Sequence, residues 1–280
     1  MSQTIEIHTK QVVEGNDLFH FLQSRMENVS GVQKSETGFY FYKENESLRG
    51  VDFWKESYGY ELRTTILSTD ADYEVAKYII MYCINFIADA KFYVDEELVK
   101  KQNVISLFEN NSFVNDAQLV KTLVVHQEET ITFFGPKGEF YIGSNVLQKV
   151  ESTIDGWAER LEQLLLKVQY HLPPSESDNV METQSDSSEE KKVLKLVNRN
   201  VSYILKKYDY LIFIKDETVS SIDNMIFITN TILNQNLPNT WELIDEYTII
   251  APALSNEEYD TLVERLLQFD CREEFEKVNL

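Results

Sequence analysis

The sequence predicts an α+β fold, antiparallel sheets packed with helices, and three observations carry that expectation. Strand-like runs follow one another with only turn residues between them, where a doubly wound parallel sheet would need a helix after every strand. Helical patterns stand at the ends of those runs, opened by Ser, Thr or Asp residues suited to capping. And 280 residues, 43% hydrophobic and 12% aromatic, suffice for one large domain or two ordinary ones with a real core.

Thr4 to His8 alternates like a short strand, and Asp17 to Val29 places Leu18, Phe21, Leu22, Met26 and Val29 at helical spacing. Gly38–Lys43, Gly50–Lys55 and Tyr58–Leu67 read as three strands separated by ENES and ESYG turns, hence an antiparallel meander. Asp70 to Ala90 reads as a long helix with Ser68, Thr69 or Asp70 as its cap. Its middle, YIIMYCINFIA, is apolar almost all round and must be deeply buried. Asn115–His126 is a further helix. Thr130–Phe134 and Glu139–Gly143 form a hairpin through Gly135-Pro136-Lys137-Gly138, and Asn145–Tyr170 reads as one amphipathic helix.

Pro173-Pro174 and the following SESDNVMETQSDSSEE, with six acids and no base, break this pattern. Such text buries too little surface to offset its ordering entropy, so residues 172–190 are expected to be an acidic flexible linker between an N-terminal domain, 1–171, and a C-terminal one, 191–280. Beyond it, Lys191–Val197, Tyr208–Lys215, Trp241–Ile244 and Tyr247–Ala251 read as strands. Ser220–Asn236 fits neither period, and Ser255-Asn256-Glu257-Glu258 opens a helix through Phe269 with a capping box. Trp54, Tyr60, Leu67 and Ser68 recur 187 residues later as Trp241, Tyr247, Leu254 and Ser255. That echo suggests two related sheet-plus-helix units, although any strand-to-helix junction favours serine caps and early acids.

The net charge is −21, with 26 acids and 16 bases in residues 1–170 and 21 acids and 10 bases in 171–280. An acidic surface repels phosphates, so neither nucleic acid nor an anionic membrane is an expected partner. Two distant cysteines, Cys83 and Cys271, and an opening MSQTIEIHTKQ without an apolar core point to a cytoplasmic protein.

His8, His20, His126 and His171 show no zinc-ligand spacing, and no G-x-S-x-G elbow or P-loop occurs, so no cofactor is expected. Asp70, Asp72 and Glu74 alternate like the start of a calcium loop, but Val75 and Met81 stand where an EF-hand needs Gly and Glu. The three are candidates for a divalent-metal hydrolase site, or they are first-turn acids complementing a helix dipole. Phe39-Tyr40-Phe41-Tyr42 puts the phenylalanines on one side and the tyrosines on the other. Tyr40 and Tyr42 are then either a partner-binding face or part of a strand covered on both sides.

Three stretches, Arg49–Phe53 leading to Tyr60–Arg63 and Asp72–Glu74, FFGPKGEFYIG from Phe133 to Gly143, and Trp241 through Tyr247 into APALSNEEY, resemble a family of uncharacterised bacterial proteins of similar length known mainly from Gram-positive cocci and related gut bacteria. The resemblance implies no activity and no site residues. The expected function is therefore a non-enzymatic, acidic binding protein, in one form an immunity-type protein that neutralises a basic partner. A metal-dependent hydrolase using the Asp70–Glu74 acids is the alternative.

Overall fold

The computed structural model describes residues 2–108, 112–151, 156–171, 180–184, 191–216 and 221–279, and every count below is of these residues. The chain divides into two compact units, Met1–His171 and Leu172–Leu280, both mixing helices with mainly antiparallel sheets. The fold is α+β.

The first unit opens with β1 (Gln3–His8), α1 (Gly15–Gln23), β2 (Val29–Ser35), β3 (Gly38–Lys43), β4 (Val51–Glu56), β5 (Gly59–Thr64), α2 (Asp70–Phe86), β6 (Lys91–Val94) and β7 (Glu97–Val99). The seven strands form one sheet in the order β2-β3-β4-β5-β1-β6-β7, antiparallel throughout. The expected meander is β3-β4-β5, and β1 inserts between β5 and β6. Ile5, Ile7, Phe41, Val51, Phe53 and Leu62 form the inner face and pack on Val75, Ala76, Ile79, Ile80 and Cys83 of α2. At roughly 1.5–3 kcal/mol for each large apolar side chain fully buried, this layer is the main stabilising feature of the unit.

Two departures from the sequence reading have local causes. The first helix stops at Gln23, where the Ser24 N–H closes its last turn, and Asn28, at a left-handed φ of 57°, then turns the chain into β2, whose VSGVQKS is too polar to show a strand period. The hairpin β6–β7 is equally quiet. Phe92 is its one fully buried apolar residue, and its turn is made by Asp95 and Glu96, both at positive φ.

The unit continues with α3 (Lys101–Val104) and a 3-10 turn Ile105–Phe108, α4 (Phe113–Gln127), β8 (Ile131–Gly135), β9 (Gly138–Ile142), α5 (Ser144–Val150) and α6 (Trp157–Tyr170). The helix expected over Asn145–Tyr170 is thus two helices, α6 beginning after Gly156 at φ 72°, with residues 152–155 outside the described ones.

The second unit comprises β10 (Val180–Gln184), β11 (Lys191–Val197), β12 (Tyr203–Leu205), β13 (Tyr210–Ile214), a 3-10 turn Ile222–Asn224, β14 (Met225–Ile228), α7 (Asn230–Gln235), β15 (Glu242–Leu243), β16 (Ile249–Ala251), α8 (Asn256–Leu266), a 3-10 turn Leu267–Phe269 and α9 (Arg272–Asn279). Its sheets run β10-β11-β13-β14, with β11 and β13 parallel, and β12-β16-β15. Of the segment expected as a linker, Val180–Gln184 is a strand paired antiparallel with β11; residues 172–179 and 185–190 lie outside the described ones. The ambiguous stretch resolves into a turn, a strand and a short helix in succession, which explains why neither period fitted.

The duplication suggested by the echo is not shown: Ser255 caps α8, but its counterpart Ser68 does not cap α2, whose cap is Thr69. Thr69 and Asp72 form a capping box ahead of buried Tyr73, and Ser255 and Glu258 form another ahead of buried Tyr259. The sheets around these junctions differ in strand number and order.

Candidate functional site

Four of the five candidate residues from the sequence, Asp72, Glu74, Tyr40 and Tyr42, lie around the loop from Lys43 to Gly50, and Asp70 stands outside it. Asp72 is fully buried and accepts backbone N–H bonds from Thr69 at 2.8 Å, Arg49 at 3.1 Å and Gly50 at 2.7 Å, along with the Thr69 hydroxyl at 3.2 Å. Burial pushes its pKa up, while these donors pull the other way. Glu74 pairs with Lys43 at 3.0 Å, and Lys43 also reaches Glu46. Asp70 is exposed on the helix surface. Residues two apart on a helix point about 200° apart, so the three carboxylates do not share an ion-sized space. Among the described residues no group of three or more His, Cys, Asp or Glu is placed to hold a metal.

Tyr40 and Tyr42 are not a free face: each is 7% exposed. The sequence's alternative, a strand covered on both sides, is what the structure has, because the β8–β9 turn and α6 lie over them. The Tyr40 hydroxyl donates to the Arg49 carbonyl at 2.6 Å, and Lys137 holds its ammonium 5.2 Å from the Tyr42 ring and 5.7 Å from that of Tyr170. Tyr170 donates to the Ser47 carbonyl at 2.7 Å, and Gln169 binds both Lys137 N–H and the Gly138 carbonyl. Burial raises the pKa of Tyr40 and Tyr170, and the nearby Asp72 charge adds to it. Glu44, pushed up by burial, is nonetheless held below the usual carboxylate range by the Lys137 ammonium.

Arg49 sits at the centre of this network. Its guanidinium lies 5.2 Å from the Phe133 ring and 5.9 Å from Phe140, and its Nε and Nη1 are buried without a hydrogen-bond partner among the described residues. Burial lowers its pKa, opposed by Tyr40, Asp72 and Asp52. The network is a clamp that fastens hairpin, α6 and α2 to the sheet. Buried Cys83, its thiol pushed up to about 12 by burial, is likewise a core residue.

Away from the clamp, the same outer face of the seven-stranded sheet reaches solvent. The register places Trp54 opposite Glu61, Glu61 opposite Glu6, Glu6 opposite Tyr93 and Tyr93 opposite Leu98, a straight row across β4, β5, β1, β6 and β7. At ~4.8 Å per strand it is about 19 Å long. His8 stands one step along on the same face, its ring 4.5 Å from Tyr58 and 4.2 Å from Tyr93, and its Nε2 is 2.9 Å from Glu6. The Trp54 indole donates to Glu56 at 2.8 Å and the Tyr58 hydroxyl to Glu61. Side-chain exposures of 31% for Glu6 and 35% for His8, and 64% for Leu98, leave the row open.

Alternation in Thr4–His8 already put Glu6 and His8 on one side. What no local signal carried is that the first strand lies between the fifth and sixth, which is what aligns the row.

No protein-family model matches the chain, and neither does any curated protein or solved structure.

Proposed function

We propose that this chain is a non-enzymatic, acidic binding protein of the cytoplasm whose partner is a basic protein, in the manner of an immunity protein that masks a toxin. One observation carries the reading: a net charge of −21 is spread over both halves, while the acids that would make a catalytic cluster are spent on structure or stand apart. A field of that sign speeds encounter with a basic surface and opposes nucleic acid and anionic lipid. Immobilised full-length protein should retain a basic protein from native lysate at low salt and release it as salt rises. Recovery of no basic protein at low or moderate salt would remove the reading.

A further inference from the structure

We propose that the basic partner docks on the outer face of the seven-stranded sheet, laying an arginine-bearing segment along the row Trp54–Glu61–Glu6–Tyr93–Leu98. This rests on the acidic-binding reading and adds the surface on which it acts.

Charge complementarity argues for that occupant. Glu61 and Glu6 face each other directly across β5 and β1, a like-charge pairing that weakens a sheet unless a cation lies between them. Glu56 adds a third carboxylate beside Trp54. Cations of the same face stand in other rows, Arg63 opposite Asp52, Lys34 paired with Asp52 at 2.9 Å, and Lys91 opposite His8, which leaves the middle of the stripe negative.

The flanking side chains favour arginine over lysine. Trp54, Tyr58 and Tyr93 offer ring faces beside carboxylates, and a guanidinium both stacks and bonds in two directions, which an ammonium does not. The face already holds one flat nitrogen ring in this manner, His8 between Tyr58 and Tyr93 with Glu6 at its edge. A second surface aromatic group of the unit, Phe21, Tyr82 and Phe86, has its own cation, Arg25, 5.5 Å from the Phe21 ring. A stripe of about 19 Å matches some six residues of extended chain. Half-exposed carboxylates between aromatic rings, with apolar Leu98 at one end, have the make-up of an interface core within a polar rim.

The test uses full-length protein and a peptide of alternating arginine and glycine, with a glutamate–glycine peptide as control, at low salt. The three tryptophans give three indole N–H signals in a nitrogen–proton spectrum. Titration should move the Trp54 signal and leave that of Trp241, bonded to the Pro252 carbonyl, in place. The double variant Glu6→Gln/Glu61→Gln should weaken peptide binding about fivefold or more, with a melting temperature at or above that of the parent, since it removes a repulsion. The charge-matched Glu257→Gln/Glu264→Gln, on exposed positions of α8, should stay within about twofold. Equal weakening in both variants, or binding with an unmoved Trp54 signal, overturns the docking surface and leaves the acidic-binding reading standing. Absence of arginine-peptide binding to the parent overturns both.

Discussion

Asp72 shows how a side chain can look like a ligand in sequence and serve as a knot in structure. With Asp72→Ala, the N–H groups of Thr69, Arg49 and Gly50 lose their acceptor inside the protein, and orphaned buried donors cost about 1–3 kcal/mol each. The expected loss is about 3 kcal/mol or more, read from urea unfolding. Glu74→Gln should cost below about 1 kcal/mol, because its pair is half-exposed and Lys43 keeps Glu46. Comparable losses from the two would show that the clamp does not depend on Asp72. Gly50→Ala combines two faults, a φ of 64° and a Cβ within 2.4 Å of the Tyr40 ring, so it should destabilise by about 2 kcal/mol or more. Glu258 is held below its usual pKa by the Ser255 hydroxyl and N–H. A carboxylate with a lowered folded pKa lends stability above its unfolded pKa and loses it as pH falls through the folded value. Glu258→Gln should therefore flatten the acid side of a melting-temperature-against-pH profile relative to the parent.

Among the elements, those with caps or strong apolar periods were legible and those held by distant neighbours were not. Helix α2 takes Thr69, one of the three candidates Ser68, Thr69 and Asp70, as its cap, and β3 carries the bounds its alternation implied. Strands β2, β6 and β7 escaped notice because pairing with β3 and β1 makes them, and their own text is polar. The same limit applied to Tyr40 and Tyr42: alternation put them on one side, but the hairpin covering them lies about a hundred residues downstream. One buried amide ties down the tip of that hairpin, since Gln169 bonds to both Lys137 and Gly138. Gln169→Ala should raise hydrogen exchange across residues 131–142 while the exchange of α2 stays unchanged; protection unaltered in the hairpin would mean that the Arg49–phenylalanine contacts suffice.

At the scale of the whole molecule, the strand β10 within the acidic segment did not follow from composition, because five residues of VMETQ show no period without β11 beside them. A fragment of residues 172–280 should unfold in a sharper transition than one of 191–280, which exposes the edge of β11; identical melts would make β10 dispensable. The order of synthesis follows from the place of β1. It is the first strand of this sequence, yet both its neighbours, β5 and β6, come much later, the last of them ending at Val94. A ribosome thus releases an interior slat of the sheet long before its flanks exist, and Ile5 and Ile7 wait bare in the meantime. Chaperone demand during translation should concentrate on the nascent stretch before β6 emerges, and trimming the first eight residues would part the hairpin β6–β7 from the four strands β2 to β5.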